Sequence, residues 1–200
     1  MGYLLGICLI HTFVLEGEKE DRREELENLL QVEKIREAEL GSARLMAYTD
    51  PLTGVKSKTA YQEDIIGIEK RIEDGILKDF AVAVFDVNGL KLVNDTKGHD
   101  EGDKLIKEAC QVICQTFKHS PIYRIGGDEF VAFIMGEDFK QKSELVKNFD
   151  SQMEKNMAEN KAVVSCGLTE YETGADKSYL TIFSRADMKM YERKKQLKGL

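Results

Sequence analysis

The stretch Tyr123-Arg124-Ile125-Gly126-Gly127-Asp128-Glu129-Phe130-Val131-Ala132-Phe133 constrains the fold more tightly than any other part of the chain. Two apolar, strand-like runs flank a glycine pair, and two carboxylates come directly after it. The pattern predicts a tight β-hairpin, because glycine accepts the positive φ angles of primed turns. Asp128 and Glu129 are then expected just past the turn, pointing to opposite faces of the ribbon. A rigid hairpin that presents acids suits a hard cation, and a hard cation suits phosphate. Taken by itself, Gly-Gly-Asp serves equally well as an ordinary turn.

Two hundred residues suit one ordinary domain with an appendage, and an apolar content of 42% is enough for a real core. The net charge is -7, with 36 acids against 29 bases. That balance argues against a duplex-DNA binder, which needs positive surface to displace counterions. It leaves a nucleotide substrate open, where local charge matters more than the total. Cys8, Cys110, Cys114 and Cys166 show neither a zinc spacing nor a disulfide framework, and read as small buried hydrophobes in a reducing compartment.

Residues 1–15 are mostly apolar but too short to span a bilayer as they stand, and lack the flanks of a signal peptide. They read as a remnant of an upstream sensor strand or of a membrane helix. Residues 16–47 are charged and free of proline, with a stripe of Leu26, Leu29, Leu30, Val32, Ile35 and Ala38, and so predict an amphipathic connector helix. Asp50-Pro51 and Gly54 punctuate the chain, and the compact domain is expected over residues 48–200. Within it a helix is expected over 58–76, and a central strand buried on both faces over Phe80–Phe85. Next come a helix over 102–117, the hairpin and a helix over 140–156. A strand over 162–169 and a last helix over 179–197 complete the chain. Strands and helices alternating around a hairpin give an α/β sandwich with a mixed sheet.

Asp86 closes the buried strand. It either caps the next helix or turn or, if the strand and hairpin are neighbours, joins Asp128 around magnesium, with the Val87 carbonyl as a further oxygen. Asn94 and Asp103 also carry two readings each. Asn94 is a turn residue or a base contact. Asp103 is an acid favoured by a helix N-terminus, or a carboxylate that accepts from guanine N1–H and N2–H₂ together. His11 and His119 read as incidental, Met188 and Met190 as core, and Arg193–Lys195 as a solvated helix end within reach of phosphate.

Three motifs in order carry a resemblance. They are Asp50-x-Leu-Thr-Gly, then Phe85-Asp86-x-Asn88-x-x-Lys91-x-x-Asn94-Asp95-x-x-Gly98-His99-x-x-Gly102-Asp103, then Arg124-x-Gly-Gly-Asp-Glu-Phe; Arg185-Ala186-Asp187-x-x-x-Tyr191-x-x-Lys194 closes the series. From about Tyr48 to Lys198 the chain resembles the GGDEF family of diguanylate cyclases. The resemblance implies a palm-like α/β domain that condenses two GTP into cyclic di-GMP across a homodimer, one GTP per subunit. It implies Mg²⁺, or Mn²⁺ in its place, held by Asp86, Val87 and Asp128 with Glu129 in support. Asp128 is then also the proton acceptor, and Lys91 stabilises charge on phosphate. Asn94 and Asp103 hold guanine, His99 lines the nucleotide site, Gly126 and Gly127 form the substrate-side turn, and Lys194 and Lys198 meet the terminal phosphates. It implies an upstream sensor, a cytoplasmic location with the parent protein attached or not attached to a membrane, and no nucleic-acid polymer as partner.

This sequence departs from the family pattern at several places. Lys198 stands where arginine is frequent and keeps the charge without the bidentate fork. Asn88 stands where a second Asp is frequent, and Ser57-Lys58 where Asn-Arg is usual. The Arg-x-x-Asp set of the family's product-inhibition site falls on Phe117-Lys118-His119-Ser120, so product feedback through it is not expected. Beside the active cyclase stand two other readings: a silent GGDEF domain that binds GTP or scaffolds a partner, and a cyclase with relaxed base choice.

Overall fold

The computed structural model describes the backbone of residues 2–198 and the side chains of residues 19–198 apart from Asp21 and Glu24. The chain divides into two compact units between Leu45 and Met46. Helix α1 (Gly2–Tyr48) is unbroken through the first. Residues 2–15 are therefore helical, and the strand alternative for them falls; their apolar side chains lie outside the described ones. Leu26, Leu29, Leu30, Val32 and Ile35 are each at least half exposed along α1. Among the described residues no helix is long and apolar enough to cross a membrane.

The second unit is built around four strands: β1 (Ala81–Val87), β2 (Ile122–Arg124), β3 (Glu129–Ile134) and β4 (Val164–Glu170), in the order β2-β3-β1-β4. The helices are α2 (Lys58–Glu73), α3 (Leu90–Lys97), α4 (His99–Thr116), the single turn α5 (Gly136–Lys140), α6 (Lys142–Ala158) and α7 (Tyr179–Leu197). The α/β sandwich is as expected. The pairing of the four strands is antiparallel throughout, and the parallel component is confined to an isolated bridge between Lys56 and Tyr123.

Strand β1 is buried at every residue, as its unbroken apolar run requires. Ala81, Ala83, Phe85 and Val87 face a core filled by α4 and α6, including Ile106, Ile113, Phe149 and Met153. Val82 and Val84 face the other core, filled from α2 and α7 by Ile68, Ile72, Tyr179 and Ile182. Tyr123, Phe133 and Tyr179 pack as tilted and edge-on pairs in that second core, where Tyr61 and Tyr179 share a 2.7 Å hydroxyl contact. Met190 belongs to it too, but Met188 is 64% exposed, which corrects its assignment to the core. The two residues are two apart on one helix, so they face different ways.

Several boundaries depart from those expected: α2 ends at Glu73 rather than 76, and β4 covers 164–170 rather than 162–169. Helix α4 starts at His99 rather than 102. Residues 90–97, read only as motif, form α3, entered through left-handed Gly89 at φ 79° and left through Gly98 at φ 87°. The helix expected over 140–156 is preceded by α5.

Helix α7 lies directly on β4. A Cβ at Gly167 would fall 2.1 Å from the Ala186 carbonyl oxygen and 2.2 Å from the Met190 nitrogen, both backbone atoms. Gly167→Ala must therefore push the helix off the sheet, costing ~2–3 kcal/mol as overpacking does. The melting temperature is expected to fall by roughly 4–12 °C for a domain of this size. An unchanged Tm would show that α7 is free to lift.

Candidate active site

Antiparallel pairing on both sides of β1 sets the site. Asp86 is directly opposite Glu129 on β3 and Ser165 on β4. It is the one charged residue of β1 and is 8% exposed. From α7, Lys194 Nζ reaches Asp86 Oδ1 at 2.6 Å, with the two side chains 23% and 12% exposed. Burial pushes the Asp86 carboxyl above its ordinary range, and the Asp128 charge adds to the rise; the Lys194 ammonium, helped by Lys198, works against it. Val87 N–H donates to the Asp128 carbonyl at 2.9 Å, which fixes the hairpin loop beside the end of β1.

The loop itself is not the expected primed turn. Neither Gly126 nor Gly127 has a positive φ. Four residues separate β2 from β3, so the chain reverses without the strained backbone that a two-residue turn demands. Gly126 instead lies under a side chain: a Cβ there would fall 2.5 Å from Glu129 Oε2, the movable end of an exposed carboxylate. The Glu129 carboxylate folds back over the loop, and Ile125 and Gly126 donate their N–H groups to its backbone carbonyl at 3.0 and 3.4 Å. Asp128 lies in the bend before β3, so strand alternation does not govern it.

Arg124 holds this loop. Its Nη1 lies 3.2 and 3.3 Å from the two Asp50 oxygens, and its Nη2 donates to the Gly127 carbonyl at 2.8 Å. Asp50 is itself set by the turn that Pro51 and Gly54 announce, accepting from Thr53 N at 2.9 Å and Thr53 Oγ1 at 2.6 Å. Sequence reasoning places both residues in motifs and assigns neither a role. The usable signal was an arginine two residues before the glycine pair and an acid in a proline-marked turn.

A second group forms where α3 meets α4. Asn94 packs its amide against Gly102, and Asp103 comes next on the exposed side of α4. Lys91, near the start of α3, and His99, the first residue of α4, are exposed; among the described residues no contact joins their side chains to Asp86 or Asp128. Asp86, Val87, Asp128, Glu129, Lys194 and Lys198 thus gather at one end of β1, and Asn94 with Asp103 at the α3–α4 junction.

Among the described residues no group of three or more His, Cys, Asp or Glu is arranged to hold a metal. The donors at the end of β1 are two carboxylates, Asp86 and Asp128, with Glu129 turned onto Gly126. An oxygen-only set of that size fits magnesium, which keeps several waters and takes further oxygens from a phosphate.

Comparison with known proteins decides the family. The family model for the diguanylate cyclase GGDEF domain matches residues 47–199. The chain belongs to the GGDEF family. A diguanylate cyclase of Pseudomonas aeruginosa, DgcP, is 27% identical over 192 residues, which is 92% of this chain and 28% of that protein. An uncharacterized membrane protein of Staphylococcus aureus is 29% identical over 154 residues, 74% of this chain and 43% of that protein. The chain therefore spans less than half of either relative. The coiled coil and GGDEF domain of DgcB from Caulobacter crescentus, solved with c-di-GMP, superposes with a TM-score of 0.72 at 25% identity, covering 88% of this chain and 94% of that one.

The Asp50 turn also carries a pH signature. Burial raises its carboxyl, but the two Thr53 hydrogen bonds and Arg124 outweigh this and hold it below 3.8. The unfolded chain then takes up the proton first as pH falls. Ionised Asp50 stabilises the fold above about pH 4, and that contribution is lost as pH falls through the lower folded-state value. Asp50→Asn is expected to cost about 1 kcal/mol at neutral pH, kept small by the partly open setting. The gap to wild type in thermal melts should narrow below about pH 4; a gap independent of pH would contradict this role.

Proposed function

We propose that residues 46–200 are an active diguanylate cyclase that joins two GTP into cyclic di-GMP with release of two pyrophosphates. One observation carries the reading. The end of β1 sets two acids, Asp86 and Asp128, against two bases, Lys194 and Lys198, and that is the arrangement a metal–triphosphate needs. Asp86, the Val87 carbonyl and Asp128 would hold Mg²⁺ or Mn²⁺, with Glu129 in support. When bound, the metal polarises the α-phosphate and lowers the pKa of the attacking hydroxyl.

The chain's own residues supply the rest. Asp128 accepts the proton of the 3′-hydroxyl. Lys194 is the Asp86 counter-ion in the free protein and passes to the terminal phosphates, where Lys198 joins it. Lys91 sits on α3, which begins directly after the strand that carries Asp86, and stabilises charge on phosphate. His99 lines the nucleotide site, and Gly126 and Gly127 keep the loop narrow beside it. Asn94 and Asp103 take the guanine.

Each GGDEF unit holds one GTP, so two must face each other. The exposed apolar residues of α1, from Leu26 to Ile35, suit pairing of two copies, and the DgcB structure includes a coiled coil. Upstream of it we place a sensor, with the catalytic unit in the cytoplasm; a Staphylococcus aureus relative is a membrane protein. Glu129, turned onto Gly126, favours a second reading, a GTP receptor without turnover.

Residues 117–120, where the product-inhibition site would fall, carry neither its arginine nor its carboxylate. Phe117, where its arginine would stand, is 1% exposed and packs against Phe85 at 5.5 Å and Phe149 at 6.1 Å. Nearby, Asp138 is spent on the His119 N–H at 2.9 Å. No saturable cyclic di-GMP site is expected to survive mutation of the active site, and a tight one, seen by calorimetry, would refute this.

The deciding assay incubates the chain with GTP and Mg²⁺ over a range of protein concentrations and resolves the nucleotides by chromatography. Cyclic di-GMP should rise faster than linearly with protein and vanish in Asp128→Ala. GTP binding without product at any concentration would establish the receptor instead.

A further inference from the structure

Gly102 is buried inside α4, at a position whose φ any residue can adopt. Helix propensity disfavours glycine there, so a local rule is broken with no backbone reason. The reason lies on the neighbouring helix. A Cβ at Gly102 would fall 1.8 Å from Asn94 Oδ1, 2.9 Å from Asn94 Cγ and 3.2 Å from Leu90 Cδ1. Asn94 Oδ1 is also one of four buried side-chain atoms without a hydrogen-bond partner among the described residues. Its Nδ2 is not among them, so the NH₂ end of the amide is open to solvent.

The two ends of an asparagine amide have nearly the same shape, so chemistry decides which faces inward. Glycine offers only a Cα–H along the missing Cβ direction. A carbonyl oxygen accepts such a contact weakly, whereas an NH₂ there would bury two donors against a C–H. The oxygen turns in and the NH₂ turns out.

We propose that Gly102 is the positioning residue for base selection: by admitting the Asn94 oxygen it makes Asn94 a donor only, beside Asp103 as an acceptor only. This rests on the reading of Asn94 and Asp103 as the guanine contacts. Guanine sets an acceptor beside N1–H and N2–H₂, the complement of that donor–acceptor pair. Adenine sets an N6 donor beside an N1 acceptor and leaves both protein groups opposed. Polar groups covered by the base and left unpaired are what make such a site reject the wrong base.

The test measures equilibrium binding of GTP and ATP to the whole chain and to Gly102→Ala, Asn94→Ala and the double variant, with thermal melts of each. Gly102→Ala should weaken GTP roughly 10- to 100-fold, about 1.4 kcal/mol per tenfold, and leave ATP nearly unchanged. Its Tm should not fall in parallel, since alanine favours the helix. The double variant should bind GTP no worse than Asn94→Ala, because without the amide there is nothing left to displace. Asn94→Asp keeps the shape but removes the donor, and should lose GTP preference as Asn94→Ala does; it reads the orientation even if Gly102→Ala fails to fold. Multiplying losses in the double variant, or preference retained in Gly102→Ala or in Asn94→Asp while Asn94→Ala loses it, would overturn the proposal. Preference retained in Asn94→Ala would instead overturn the base-contact reading on which it stands.

Discussion

A strand buried on both faces that ends in a carboxylate is the constraint on which the rest of the structure depends. Every residue of β1 is buried, and Asp86 pays for its place there by losing solvation. An unpaired charge at that depth would neutralise or unfold the strand end, so the fold must deliver a cation to it. Helix α7 does so, because Gly167 lets it settle onto β4 closely enough for Lys194 to reach Asp86. Packing in the second core and charge balance at the site are therefore one arrangement. The pair compensates desolvation rather than adding stability of its own, since replacing such a pair by apolar groups is often neutral.

The loop that carries Asp128 has the opposite problem. It is only half-buried, rich in glycine, and has little of its own to hold it. Arg124 solves this by joining the Gly127 carbonyl to Asp50, whose geometry is fixed by the Thr53 turn. A guanidinium suits the task because its fork serves a carboxylate and a carbonyl at once, which a lysine would not. The turn at the end of α1 is thus wired to the loop of the candidate site within the same compact unit.

Much of this was legible in the sequence, and the limits have physical causes. The apolar run Phe80–Phe85 gave a buried strand because both faces need apolar residues. The last helix was read over the residues it occupies because its apolar spacing is long and regular. Residues 90–97 were not read as a helix, since α3 buries no residue fully and Asn94, Asp95 and Thr96 prefer turns when alone. The hairpin was placed correctly but for the wrong reason. Glycine pairs signal primed turns statistically, while here Gly126 makes room for a side chain and its φ is negative or extended. Side-chain contacts across the chain, such as Arg124 with Asp50 or Lys194 with Asp86, leave no periodic trace at all. They join residues 74 and 108 positions apart.

Accounting for buried polar atoms points the same way. The unpartnered ones among the described residues are Asn94 Oδ1, Ser120 Oγ, Arg124 Nε and Thr169 Oγ1. Native folds leave few such atoms, and each asks for a reason. Arg124 leaves its Nε unpaired because both Nη atoms are committed to holding the loop. Asn94 leaves its oxygen unpaired because it faces the bare Cα of Gly102. Asn94 and Arg124 lie at or beside the proposed substrate site, whereas Thr169 is opposite Val82 on the face of the second core and Ser120 precedes β2. Two of the four unpartnered atoms thus fall at the proposed site, one beside the end of β1 and one between α3 and α4. In the proposed function, selection of the base falls to α3 and α4 and activation of the phosphate to the end of β1, so the two tasks rest on separate elements.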